Sequence, residues 1–323
     1  MSRLGSREAA EQLGRRLRLP LIGAPMFIAS TPELVIAQCK AGVIGSMPAL
    51  NIRPQEALGP AIARIAEALA AHDRAHPESP SAPFAINQIA HRTNERVAAD
   101  LATIVAHRVP IVIVSLAAPG PIAEAVHSYG GLVFCDVTTN RHARKAAEGG
   151  ADGLIAVAAG AGGHTGGVSP FALVEDIRSW WDGPLALSGC IATGRGIAAA
   201  RMMGADFVYV GSPFLACNEA DTASGHKDMV VAGCSDDVAI TEAVTGVRAT
   251  FLRGSLAEAG IDPDAARDPA KPRNFGATGS SQSAWRDIWS AGQGIGPVTA
   301  RGSAGDWLAR LAADYETARH SRI

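Results

Sequence analysis

The chain alternates between short, almost wholly apolar runs and longer stretches in which apolar positions recur every three or four residues. The apolar runs are Leu19–Phe27, Val43–Met47, Pro83–Ile89, Ile111–Leu116, Leu132–Val137, Gly153–Ala158, Leu185–Ser188 and Phe207–Gly211. Most lack the in–out alternation of a strand with one wet face, so they read as strands covered on both sides. Between them, Gln55–Ala71 places Leu58, Ile62, Ile65 and Leu69 on one helical face. Helices are also expected over Thr93–His107, Pro121–Tyr129, Arg141–Gly149, Ser169–Trp181 and Gly196–Met203, with Ser169-Pro170 as a cap and first turn. Ala70–Pro83 reads as an exposed linker.

Strands alternating with helices allow either a closed barrel or an open doubly wound sheet. The strand count favours the α/β barrel, a (β/α)₈ TIM barrel. A dinucleotide-binding sheet would carry a GxGxxG fingerprint after its first strand, and Gly23-Ala24-Pro25-Met26 is not one. Past Gly211 the alternation stops. Residues 214–283 hold an acidic stretch, Cys234-Ser235-Asp236-Asp237, and a loop rich in Pro, Asp and Arg over Asp262–Arg273. They read as an insertion over the barrel mouth, serving as a lid or as an oligomer contact such as a homodimer, or else packing on the outer wall. The barrel would then comprise residues 1–213 and 284–323, closed by a final amphipathic helix.

Leu185–Pro213 has a form of its own: strand, small-residue turn (Ser188-Gly189-Cys190), helix opened by Thr193-Gly194, strand, small-residue turn (Gly211-Ser212-Pro213). In a βαβ unit both turns lie at the same end of a parallel sheet. Small residues there let backbone N–H groups approach an anion closely. Two such turns in succession match the phosphate site that barrels build after strands seven and eight. The reading is a phosphate grip for flavin mononucleotide (FMN).

Composition narrows the class. With 29 Lys and Arg against 31 Asp and Glu, there is no basic excess to attract nucleic acid and no polybasic run for a membrane surface. The five cysteines are scattered without a CxxC pair, which argues against a disulfide framework or zinc site. No HxH or HExxH spacing supports a metal. The N-terminus is polar and no apolar run approaches membrane-spanning length, so a cytoplasmic protein is expected.

The loop Gly160–Gly167 carries the strongest chemical signal. Five glycines surround His164 at the end of the sixth strand, giving a backbone able to wrap a ligand and one imidazole that titrates near neutrality. His91, His107, His127 and His142 fall in or beside helices, whereas His72, His76, His226 and His320 read as solvated loop or tail positions. No GxSxG elbow is present, and Cys190 and Cys217 fit a backbone contact and a buried thiol, so a covalent nucleophile is not expected. Pro25 marks the first strand's end, where backbone would face a ligand. Asn87, at the end of the third, can cap the next helix or hydrogen-bond a flavin.

These pieces together resemble the nitronate monooxygenases, FMN-dependent (β/α)₈ barrels formerly called 2-nitropropane dioxygenases. The resemblance rests on Ala24-Pro25-Met26, Phe84–Asn87, Gly162-Gly163-His164-Thr165-Gly166, Ser188-Gly189-Cys190 with Asp206–Ser212, and Ile288–Gln293, in family order. It implies that Ala24, Pro25 and Met26 lie along the flavin ring and that Gly162 and Gly163 flank it. It also implies that Gly189, Cys190, Gly211 and Ser212 hold the phosphate, that Gln293 closes over the cofactor, and that His164 is the active-site histidine. Many relatives have a second glycine in place of Cys190, and some place a lysine near the flavin where this chain has Asp136. The expected activity is oxidation of alkyl nitronates or nitroalkanes with O₂ to a carbonyl compound and nitrite, His164 acting as base or orienting group. An NAD(P)H-dependent quinone or enoyl-thioester reductase, and a non-catalytic FMN- or phosphate-binding barrel, are the alternatives within reach of the same fold.

Overall fold

The computed structural model describes residues 7–265 and 285–320. Eight parallel strands, β1 Leu21–Gly23, β2 Gly45–Pro48, β3 Phe84–Ile89, β4 Ile111–Ser115, β5 Leu132–Val137, β6 Gly153–Val157, β7 Leu185–Ser188 and β8 Phe207–Val210, form one sheet. β1 pairs with β8, and the parallel bridge Ile22–Ile44 joins β1 to β2, so the sheet rolls into a TIM barrel. Helices α2 Pro32–Lys40, α3 Leu58–Ala75, α4 Val97–Ala106, α5 Gly120–His127, α6 Asn140–Glu148, α7 Pro170–Arg178 and α8 Gly194–Met202 follow the first seven strands. A short helix before β1, α1 Arg7–Gly14, sets Ala10 and Leu13 in one cluster with Ile22, Phe134 and Phe207 from the barrel interior. The C-terminal helix Ala304–His320 packs against α8 and α2, in the place of an eighth barrel helix.

The apolar runs form strands because both faces are covered. Inward residues such as Ile113, Phe134 and Ile155 fill the barrel, and outward ones such as Val112, Cys135 and Leu154 meet the helices. Threonines at 31, 139 and 193 cap α2, α6 and α8, each accepting a backbone N–H from inside the first turn. Each puts its helix start beside a strand's C-terminal end, where the mouth lies.

Several boundaries move. The first strand is only Leu21–Gly23, because Ala24 onwards turns across the mouth. Gln55–Ala57 is a single 3₁₀ turn, and α3 runs on to Ala75, so the residues from Ala70 to Ala75 are helical and not linker, His72 among them. The fourth helix starts at Val97, because Asn94 turns the chain by donating to Ile89 O and accepting from Arg96 N–H. Two further strands, β9 Val238–Thr241 and β10 Ala249–Leu252, pair as an antiparallel hairpin within the insertion. The hairpin is joined to the loop after β6: Thr250 N–H donates to Gly163 O at 2.9 Å and Thr165 N–H to Arg248 O at 3.3 Å. Part of the expected insertion, residues 266–284, lies outside the described residues. No helix among the described residues is long and apolar enough to cross a membrane.

Candidate active site

Four small-residue segments meet at the β6–β8 side of the mouth. Gly160, Ala161 and Gly162 from the loop after β6, Ser188–Ile191 after β7, Tyr209–Pro213 at the end of β8, and Gly292 and Gly294 line one cavity. Of the residues singled out from sequence, Gly162, Gly189, Cys190, Gly211 and Ser212 therefore share that cavity. Gly160, from the glycine loop read in the sequence, joins them, as do Tyr209, Gly292 and Gly294, which only their position in the fold reveals.

The backbone is specialised here. Gly189 has φ +132° and Gly160 φ +85°, conformations that suit glycine. Cys190 adopts φ +58°, the left-handed region in which a side chain costs roughly 1–2 kcal/mol. Ser212 opens a 3₁₀ turn whose first internal bond is Phe214 N–H to Gly211 O, so its own N–H has no partner within the turn. Its hydroxyl accepts the Gly292 N–H at 2.7 Å. Gln293 N–H donates to Gly160 O at 3.0 Å, and Gly163 N–H to Ser290 Oγ at 3.1 Å. The segment 289–294 is thus stitched across two of the turns by its backbone N–H groups and the Ser290 hydroxyl. Such a cradle, small-residued and rich in N–H groups, fits the phosphate of a nucleotide.

The first turn closes the same side. A methyl group built on Gly211 would stand 3.4 Å from Ala24 Cβ and 3.5 Å from Met26 Sδ, so these side chains lie beside the β8 turn. Pro25 sits between them, part-exposed, at the mouth.

His164 belongs to the loop that lines the cavity. Its backbone bridges to Ala249 of the hairpin, and its ring meets the edge of Trp285 at 5.4 Å between centroids. Trp285 stacks in turn on Phe251 of β10, at 5.1 Å. Burial lowers the imidazole pKa to about 4, so the ring is neutral at pH 7. A second histidine, His226 of helix α9 Ser224–Ala232, was expected in solvent. Instead it is buried, stacks on Trp289 at 5.4 Å, and has its Nε2 3.0 Å from Ser290 O. It holds the segment that stitches the cavity.

Asn87 is not at the cavity. It lies within β3, two residues before the strand's end on the far arc of the mouth, where its Nδ2 donates to Ile113 O at 3.0 Å and to Ser115 Oγ at 2.7 Å, so it caps no helix. Ser115 Oγ donates to Asp136 Oδ2 at 2.6 Å. Burial pushes the Asp136 carboxyl up to about 6 against the opposing pull of that hydrogen bond. Among the described residues, no cluster of three or more His, Cys, Asp or Glu is placed to hold a metal.

The architecture and the sequence both have relatives. The family model described as nitronate monooxygenase matches residues 15–314. A nitronate monooxygenase of Paraburkholderia phytofirmans is 29% identical, over 78% of this chain and 80% of its own. A protein of Mycobacterium tuberculosis classed among the monooxygenases is 36% identical, but that match covers 49% of this chain and only 43% of the other. The solved structure of a nitroalkane oxidase from Streptomyces ansochromogenes superposes with a TM-score of 0.76 at 25% identity, covering 95% of this chain and 99% of that one. With a match spanning nearly the whole barrel, this chain belongs to the nitronate monooxygenase family and is an oxidoreductase of the flavin-dependent kind.

Proposed function

We propose that this protein binds FMN and oxidises alkyl nitronates with O₂, giving a carbonyl compound and nitrite. The observation that carries the reading is the convergence of Gly162, Gly189, Cys190, Gly211 and Ser212 on one cavity, lined by the loop that bears His164. Backbone N–H groups of the β7 and β8 turns and the Ser212 hydroxyl would hold the phosphate, with Gln293 closing over it. Ala24, Pro25 and Met26 would border the ring. FMN, when bound, supplies the electron transfer between nitronate and oxygen.

The chain's own residues then have three tasks. The apolar wall of Trp285 and Phe251 keeps water from the imidazole. His164, neutral at pH 7, orients the nitro group without a competing positive charge. With a neutral nitroalkane it takes the α-proton. A base with so low a pKa is weak in water, and the anionic nitronate forming beside it favours the imidazolium. Position thus does more for catalysis here than basicity.

H164N tests the role. It should retain the yellow cofactor and lose about 100-fold or more in turnover with neutral nitroalkanes, the usual scale of a general base. Preformed nitronates, which need no deprotonation, should lose much less. Equal losses on both would leave His164 as an orienting group only, and no loss on either would remove it from the mechanism. Anaerobic mixing with NADH and NADPH separates the reductase alternative, which requires rapid bleaching of the flavin.

A further inference from the structure

The phosphate cradle occupies one side of the mouth. The opposite arc, on β3–β5, is polar, and its hydrogen bonds run in one direction. Asn87 Nδ2 donates to Ser115 Oγ, and Ser115 has one hydrogen, which it gives to Asp136 Oδ2. Asp136 Oδ1 is fully buried and, among the described residues, has no hydrogen-bond partner. Register places Asp136 beside Ile155 of β6, on the inward face shared with Phe134. The groups facing it are therefore Ser115 from β4, Asn87 from β3, Ile155 and Val157 from β6, and the Tyr209 phenol from β8. None is cationic. Cys135, next along the strand, belongs to the outer cluster. Helices α5 and α6 pack on the outer face of β5, so Glu124, His127, Arg144 and Lys145 lie across the sheet from the carboxyl.

Among the described residues an ionised carboxylate in that position has one donor, no counter-charge and a bare oxygen, whereas a protonated one needs only an acceptor for its hydrogen. Tyr209 feels the charge of Asp136 and also lines the phosphate cavity, which ties the two arcs together. A flat ring reaching from the phosphate turns over Tyr209 would come to Asp136. Of the two ends of an isoalloxazine, the dimethylbenzene edge would leave Oδ1 without a partner. The pyrimidine edge offers carbonyl oxygens and a ring nitrogen as acceptors.

We propose, on the reading that the cofactor is FMN, that Asp136 carries a proton in the loaded protein and donates it from Oδ1 to an acceptor on the pyrimidine edge of the flavin. Capture of the cofactor is then linked to capture of one proton. The free protein's Asp136 loses its proton as pH rises through about 6, so affinity should weaken above that pH and be unaffected below it.

The test is equilibrium titration of the apoprotein with FMN, followed by flavin fluorescence from pH 5 to 9, for wild type and D136N. Asparagine is neutral at every pH and can donate from Nδ2. The ratio of wild-type to D136N Kd should stay flat below about pH 6 and rise about tenfold per pH unit above it. The FMN phosphate, with its own second pKa of about 6, titrates against both proteins and cancels in the ratio. S115A, which removes the donor favouring the ionised form, should move the break to higher pH. Calorimetry of wild type alone at pH 7.5, in buffers of different ionisation enthalpy, should show uptake approaching one proton per FMN. A ratio flat from pH 5 to 9, tighter binding by wild type than by D136N at high pH, or no proton uptake would each overturn the proposal while leaving the flavin reading intact. Wild type that takes up no FMN at any pH would overturn both.

Discussion

The two arcs of the barrel mouth are built on opposite plans. On the β6–β8 side the cavity is lined mostly by small residues, which would let backbone N–H groups reach a ligand. On the β3–β5 side the backbone is ordinary strand, and three side chains, Asn87, Ser115 and Asp136, form a hydrogen-bonded row inside the barrel. An anion gripped by dipoles needs no charged partner and asks no protein group to gain or lose a proton. A carboxyl buried beside neutral groups makes binding depend on protons. The difference teaches where pH should act on this protein and where it should not.

The comparison breaks most visibly if the backbone is not the grip. Gly189 has φ +132°, and a Cβ there would stand 3.0 Å from Ala159 O. G189V must move the turn out of that conformation, a cost of about 1–2 kcal/mol before the lost N–H contacts are counted. The expected result is a fall in FMN affinity of about 100-fold, equivalent to about 2.7 kcal/mol. It would be seen as colourless purified protein and measured by titration. The loss should be similar from pH 5 to 9 relative to wild type, unlike that in the Asp136 series. A G189V protein that stays yellow would place the grip elsewhere.

A smaller effect tests the apolar cover over the histidine. Trp285 packs roughly perpendicular to the His164 ring and rests on Phe251. W285A opens that cover to water. The imidazole, now held neutral until pH falls through about 4, should rise toward the ordinary value near 6.5. Since the neutral form is the active one, the acid limb of kcat/KM should move up by as much as about two pH units. KM should rise several-fold as the apolar wall is lost, with FMN affinity little changed, and W285F should restore most of both. An unmoved acid limb would mean that burial by this indole does not set the histidine's state.

The barrel itself was legible because parallel strands covered on both faces leave continuous apolar runs, and those of IVIVS and LVFCDV survive into β4 and β5 nearly residue for residue. That the turns after β7 and β8 meet at one cavity was legible too, since small residues at two successive strand ends are a local pattern. The polar arc was only half visible: Asn87 and Asp136 drew notice, whereas Ser115 looked like an ordinary strand end, and what joins them is register between strands. Trp285 and His226 escaped because their partners lie 121 and 63 residues away, His164 to Trp285 and His226 to Trp289. The β9–β10 hairpin was hidden for a similar reason. Its strands are four residues long and pair with each other, away from the barrel sheet, and with a loop.

Cys190 offers the finest division between the two plans, because it places a side chain in the turn that otherwise works by backbone. At φ +58° its Cβ costs about 1–2 kcal/mol, and glycine would remove that strain while adding roughly 0.5–1 kcal/mol of unfolded-state entropy. The thiol also fills space beside Gly160 and Gln293: a methyl on Gly160 would stand only 2.3 Å from Sγ, and 2.9 Å from Gln293 Oε1. These terms nearly cancel, so C190G should shift stability by no more than about 0.5 kcal/mol, a degree or two in thermal midpoint. If the turn holds phosphate through its N–H groups alone, FMN affinity in C190G should stay within about threefold of wild type, because a glycine keeps the same N–H in the same place. A loss of tenfold or more would show that the thiol itself meets the ligand. The cradle would then be, like the opposite arc, partly a side-chain site, and its affinity would fall on oxidation of that sulfur.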